Sequence, residues 1–371
     1  MNKIIRFLLT IAVSSALFAC SSTSEVPEGD RLYTGLEPIK YTDYESNEHF
    51  TATQEEIEAA LDCPPNGAIF GSSYYRSPFP YSLWIWNAFH ESESPIGKWV
   101  TKTFGNQPVL MSWVNPALRA SVAQSQLRNH GYFRGTVNYE EKPYSKHPKA
   151  KIAYHVDCGH LFTIDTVTYS NFPLNADSLI AASADEAKIK SGSPFDVVSL
   201  DAERNRLSNL FRNHGYYYYQ PSYASYRADT VNTPGKVKLD VELADNLPEK
   251  ALKKWYIGNI SINLRRTFME ELKDSIHYYF FRAYFNGKKP PVRPRVIMSD
   301  MKLRHGQPYD YSKHTESNNR IASKGMFSSV DFQFTPRDTT AVSQAAVVSR
   351  GVNWKSTDEN IPLLATLSTY C

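Results

Sequence analysis

The chain has 371 residues, of which 21% are charged and 13% aromatic, with a formal net charge of +3. That length holds two to four ordinary domains, and the near-neutral balance gives no reason to expect nucleic acid or a strongly anionic partner. Only one long apolar run is present, which excludes a multi-helix membrane protein. Tyrosine, at 24 residues, is unusually frequent for an otherwise globular composition.

The apolar run is at the start. Lys3 and Arg6 form a positive flank, and Phe7 to Ala19 has the length of a signal-peptide core, short of a comfortable membrane span. It ends in Leu17-Phe18-Ala19-Cys20, which resembles a lipobox, although Phe18 stands where a small or β-branched residue is usual. Residues 1–19 then read as a signal peptide and 20–30 as a tether lipidated at Cys20, held at a membrane by acyl-chain burial. Ordinary cleavage near Ala19 is the alternative. The remaining cysteines, Cys63, Cys158 and Cys371, match no metal-binding spacing. A Cys63–Cys158 disulfide and free buried thiols both stay open.

Internal repetition is the next signal. Arg128-Asn129-His130-Gly131-Tyr132-Phe133 recurs as Arg212-Asn213-His214-Gly215-Tyr216-Tyr217, with a weaker copy at Ala322-Ser323-Lys324-Gly325-Met326-Phe327. Leu200, Leu207, Leu210 and Phe211 share one helical face before Gly215. Each glycine then stands where a helix ends in a left-handed residue, and the aromatic pair is expected to begin the next strand. Ala150, Ile152, Tyr154 and Val156 alternate after the first copy, and Val237, Leu239, Val241 and Leu243 after the second, as half-buried strands do. Strands are expected ahead of the helices at 162–169 and 257–264. The unit is β-α-α-β-β, and the fold class α+β.

This unit, with its Leu-x-x-x-Gly-Tyr-Phe step, resembles the POTRA (polypeptide-transport-associated) domains that precede the β-barrel of outer-membrane assembly proteins of the BamA and TamA type. The lipobox and Val26-Pro27-Glu28-Gly29-Asp30-Arg31-Leu32-Tyr33 look like the lipidated branch of that family, and Pro65 and Asn66 match part of a further segment of it. The resemblance implies three tandem modules at 31–159, 160–247 and 253–340. It assigns Gly131, Tyr132, Phe133, Gly215, Tyr216, Tyr217, Gly325, Met326 and Phe327 to packing and capping.

Two stretches exceed a minimal module. Residues 67–114 hold eleven aromatics, among them Trp84, Trp86, Trp99 and Trp113, expected either to pack on module one or to form a contact surface for a partner or lipid. Residues 276–296 run from aromatic to basic, which reads as an aromatic helix inside module three or as an interfacial patch. Module three is expected to lack its last strand. Alternation ends at Phe334, residues 341–371 read as an irregular tail, and no barrel strands follow, as an early stop or a barrel-less member would explain.

The chain carries no nucleophile elbow, phosphate loop, zinc-protease or dinucleotide motif. His130 and His214 are explained as helix C-terminal residues favourable to the dipole, and no catalytic residue, metal ligand or cofactor is assigned. The expected activity is binding by strand addition, with unfolded outer-membrane proteins or assembly-machinery subunits as partners and the outer membrane as anchor. In module two the edge is expected around Tyr169 or at 220–228. A purely structural envelope lipoprotein, or a non-functional fragment of a barrel-containing factor, is the alternative.

Overall fold

The computed structural model describes residues 22–231, 233–267, 269–336 and 361–370; the proposed signal peptide, Cys20 and Cys371 lie outside them. The chain forms two compact units. One runs to Asp165 and includes 191–197 and 230–237; the other holds 166–190, 198–229 and the chain from Lys238 onward.

The first unit opens with β1 (Leu32–Leu36) and β2 (Lys40–Thr42), followed by α1 (Glu48–Leu61). Asn47 caps α1 by accepting the Phe50 N–H at 2.8 Å, satisfying one of the orphan amides of the first turn. Phe50, Thr53, Ile57 and Leu61 line its buried face. Three short helices occupy the insertion: α2 (Tyr81–Phe89), α3 (Pro95–Phe104) and α4 (Met111–Val114). Then come α5 (Pro116–Asn129), β3 (Thr136–Pro143) and β4 (Lys149–Asp157). β4 is central, parallel to β1 and β2 on one side and antiparallel to β3 on the other. Its predicted inward residues Ala150, Ile152, Tyr154 and Val156 are all in the core. Cys158 is buried and Cys63 half-buried, both as free thiols.

β5 (Thr163–Ser170) leads into α6 (Leu174–Ala182), α7 (Val197–Asn213), β6 (Ala224–Asp229) and β7 (Lys236–Leu243). These strands make a three-stranded sheet in the order β5-β7-β6. The second unit continues with β8 (Trp255–Arg265), β9 (Asp274–His277), β10 (Phe281–Phe285), α8 (Pro294–Asp300), α9 (Tyr311–Ala322), β11 (Ser329–Pro336) and β12 (Ile361–Tyr370). The last sheet has the order β11-β12-β8-β10-β9. All three sheets therefore repeat one plan, with the final strand of each module inserted between the first and the second.

That plan corrects the expectation that module three lacks its last strand; of the tail expected at 341–371, residues 361–370 form β12 and the others lie outside the described residues. β12 takes the central place, parallel to β8 and antiparallel to β11, as β4 does in the first sheet. Period-2 alternation arises when one face of a strand is solvated. Ile361-Pro362-Leu363-Leu364 shows no such alternation and carries a proline, so local pattern does not mark β12 as a strand. The aromatic segment is not a helix either. β9 and β10 form an antiparallel hairpin that adds to the outer side of β8.

The repeated glycines have φ of +87, +102 and +65° at Gly131, Gly215 and Gly325. The aromatic pair does not begin the strand, as expected, but occupies a turn ahead of it: β3 starts at Thr136 and β6 at Ala224. The reason is a joint made by the glycine carbonyl. Gly131 accepts the Phe162 N–H at 3.0 Å, and Gly215 accepts the Trp255 N–H at 2.8 Å, each donor leading into the first strand of the next module. Phe133 packs on Phe162 and Phe195, with ring centroids 5.1 and 4.9 Å apart. Tyr217 packs on Tyr309 at 4.8 Å and Tyr218 on Trp255 at 5.1 Å. The second joint links the second and third sheets within one compact unit. In the third copy Met326 is exposed and Phe327 buried, whereas Tyr132 and Tyr216 are buried directly after their glycines.

Two outcomes follow. A left-handed residue with a Cβ costs about 1–2 kcal/mol, so Gly325→Ala, with open space around its Cβ, should lose about that much in urea unfolding. Gly131→Ala should lose more, because its Cβ would stand 2.7 Å from the Phe195 carbonyl oxygen. Deleting 361–370 should strip protection from the β8 and β11 amides in hydrogen exchange while those of β4 and β7 stay protected. Unchanged exchange at β8 would contradict the central place of β12.

Candidate functional site

Sheet edges are the backbone groups this fold offers to a partner, and the three sheets differ in how they guard them. β3 is an edge closed by charge and proline: Glu140, Glu141, Lys142 and Pro143 end it, and Arg31 pairs with Glu141 at 2.9 Å. Such residues discourage strand addition. β1 is bridged at Leu32 by Leu110, and the Tyr33 N–H donates to the Val109 carbonyl at 2.9 Å. Asn66 holds that covering segment, accepting from the Val109 N–H at 2.6 Å and donating to the Gln107 carbonyl at 2.7 Å.

β5 and β6 are the two edges of the second sheet, as Tyr169 and the 220–228 stretch led us to expect, although Pro221–Tyr223 forms a 3-10 turn and the strand begins at Ala224. The start of β5 is occupied: Ile164 donates to the Ser193 carbonyl at 2.8 Å, and Gly192 donates back to Ile164 at 2.7 Å. Its second half, Thr166-Val167-Thr168-Tyr169-Ser170, is free of charged residues. β6 has neither proline nor lysine and is held rigidly. The Tyr226 hydroxyl donates to the Leu200 carbonyl at 2.7 Å, and the Arg204 guanidinium lies 4.9 Å from the centre of the Tyr226 ring. Arg227 is tied to Glu242 at 2.9 Å across the sheet.

Beneath β5 lies a buried ionic network that no motif in the sequence marked. Glu203 is fully buried, and Arg206 chelates it at 2.6 and 2.9 Å. The Tyr169 hydroxyl donates to it at 2.7 Å and the Lys188 N–H at 2.8 Å. Burial alone pushes this carboxyl up. Hydrogen bonds from Arg206, the Lys188 amide and Tyr169 outweigh it and hold the group below the usual carboxylate range. The signal was available, because Glu203 lies between Leu200 and Leu207 on the apolar face of α7.

The remaining assigned residues lie at the helix ends and joints. Gly131, Tyr132, Phe133, Gly215, Tyr216 and Tyr217 make the joints, and Gly325, Met326 and Phe327 the last helix stop. His214 behaves as expected, its Nδ1 lying 2.7 Å from the Leu210 carbonyl at the helix end. His130 also ends its helix, as the C-cap residue, but it is buried, only 3% exposed. The aromatic insertion is not absorbed into the core: Tyr75, Tyr81, Trp99 and Trp113 are each 60% exposed or more. Tyr279 and Phe280, at the tip of the β9–β10 hairpin, are also exposed. No helix among the described residues is long and apolar enough to cross a membrane.

No family model and no curated protein matches the chain. Among solved structures it is similar to POTRA domains 3–5 of BamA from Haemophilus influenzae, at 9% identity over 93% of this chain and 100% of that one, with a TM-score of 0.38. It is similar to BamA from Haemophilus ducreyi lacking POTRA domains 1–3, at 11% identity over 56% of this chain and 29% of that one, TM-score 0.36. A third similarity is to POTRA domains 1–3 of the periplasmic domain of Omp85 from Anabaena, at 12% identity over 93% and 98%, TM-score 0.26. With every score below 0.5, the module assignment rests on the chain's own repeats and sheet order.

Breaking the ion pair under β5 tests whether it sets the edge. Arg206→Met leaves a buried carboxylate unpaired and should destabilise the second sheet by about 3–5 kcal/mol. The double variant Arg206→Met/Glu203→Leu should recover most of that loss. Because the Glu203 carboxyl is lowered in the folded state, its contribution is complete above the ordinary glutamate range and declines as pH falls through the lowered value. The acid limb of a urea-midpoint profile should therefore flatten in the double variant.

Proposed function

We propose that this chain is an exported, lipid-anchored periplasmic binding protein of outer-membrane protein assembly, which holds extended client polypeptides or a machinery subunit by strand addition at β6, with the second half of β5 as the other usable edge. The observation that carries this reading is the repeated sheet order. Placing the last strand of each module in the centre leaves the second sheet with two edges, and β6 bears neither the proline nor the lysine that end β3. A client strand pairs through main-chain groups and inserts alternate side chains, so one edge accepts many sequences. That suits a protein handling unfolded chains. The POTRA-like step at Gly131 and Gly215 supports the same class.

Cys20 supplies the anchor in this proposal. Ser22 and Thr23, two and three residues beyond it, line a depression with Arg76 and Trp84, and Glu25 lies 3.3 Å from His90 at the end of α2. The tether thus begins beside the exposed aromatic insertion, whose Trp and Tyr side chains suit a membrane interface. No reaction chemistry is assigned to the protein.

A photo-cross-linking residue at Arg227 should capture a strand-forming outer-membrane peptide, and the same residue at Glu141 on the closed edge should not. Equal capture at both positions, or none at Arg227, would remove strand addition, and the latter would favour a spacer lipoprotein. Cys20→Ser should abolish acylation and release the protein from membranes, whereas unchanged palmitate labelling would rule out the anchor.

A further inference from the structure

We propose that His49, His130 and Asp196 form a binding site for one divalent transition-metal ion, Zn²⁺ before others. The three residues come from α1, the end of α5 and the loop entering α7. One donor atom from each lies within 4.8 Å of the other two. Tetrahedral zinc with bonds of about 2.0–2.1 Å needs donors about 3.4 Å apart, so the widest gap closes by at most about 1.4 Å on binding.

His130 points to a ligand most directly. It is 3% exposed, and neither ring nitrogen has a hydrogen-bond partner. Asp196 approaches Nδ1 at 3.5 Å and Glu56 approaches Nε2 at 3.1 Å, both without hydrogen-bonding geometry. A buried imidazole left in that state is costly. An ion bound through Nδ1 would settle both nitrogens, with Asp196 as fellow ligand and Glu56 accepting from the opposite N–H, the usual carboxylate–histidine–metal relay. The His49 ring is oriented beside the site by a 2.9 Å contact from its Nε2 to the His130 carbonyl oxygen.

The repeat supplies an internal comparison. His214 stands in the same place of the second copy, yet it is exposed and binds the helix end. Burial of His130 is therefore no requirement of the Gly step. Two imidazoles and a carboxylate suit Zn²⁺, Co²⁺ or Ni²⁺, whereas Ca²⁺ and Mg²⁺ prefer sets of oxygen ligands. With three protein ligands, water completes the shell, and the ion acts as a staple across three segments beside the first joint.

The test is titration of the chelator-treated full chain with Zn²⁺, and separately with Mg²⁺, by calorimetry, with the absorption spectrum of the Co²⁺ form as a second readout. One Zn²⁺ per chain should bind and Mg²⁺ should not. Zinc should also slow hydrogen exchange in 191–197. His49→Gln removes a half-buried imidazole, and Asp196→Asn keeps the side-chain shape; each should weaken Zn²⁺ at least about tenfold, while His214→Gln leaves it unchanged. Absence of stoichiometric Zn²⁺ binding, or binding that both site variants retain, would overturn the proposal.

Discussion

The structure depends on one hydrogen bond made twice, from the N–H that opens a module to the carbonyl of the glycine that ended a helix in the module before. Phe162 donates to Gly131 and Trp255 to Gly215. The left-handed glycine turns the chain sharply enough for its own carbonyl to face the next strand, and a side chain there would meet that strand or its neighbours. At Gly131 a Cβ would collide with the Phe195 carbonyl oxygen. The bond fixes where each new sheet starts, and the aromatic residues after the glycine fill the space the joint encloses. Further bonds recur beside it: Phe195 donates to Phe162 in the first joint and Tyr309 to Trp255 in the second.

From this constraint the accessibility of the edges follows. A segment ahead of the second long helix, 192–195 or 306–308, pairs with the start of β5 or β8. It covers the strand near the joint and leaves the far end of β5 as sheet edge. The third sheet disposes of its other side differently, by adding the β9–β10 hairpin to β8. The second sheet has no such addition, so the far end of β5 stays a sheet edge. Its edge strands are held from below by polar groups instead of by apolar packing alone: Tyr169 through Glu203 and Arg206, Tyr226 through the Leu200 carbonyl. A buried ion pair of this sort adds little net stability over an apolar replacement, but losing one partner is expensive, so it fixes geometry.

Local signals made much of this legible. The alternation of β4 and β7, the apolar face of α7 and the three glycine stops were all readable, because each depends on residues close in sequence. Reading failed where a residue's surroundings come from elsewhere in the chain. His130 and His214 share one local motif, yet one is buried among α1 and the loop before α7 and the other faces water. β12 was passed over because Ile361-Pro362-Leu363-Leu364 does not alternate, and its place is set by pairing with the distant β8 and β11. The Glu203 network was not legible because two of its partners, Tyr169 and Lys188, lie outside its own helix.

The sequence by itself determined the repeated β-α-α-β-β units and their helix stops, since hydrophobic periodicity and a glycine's tolerance of positive φ are properties of a short stretch of chain. Only the tertiary structure decided which strand is central, which edges are closed, and which of two identical histidines is buried. Those properties depend on long-range backbone pairing and on how distant segments exclude water from one another, and neither is encoded in the spacing of neighbouring residues.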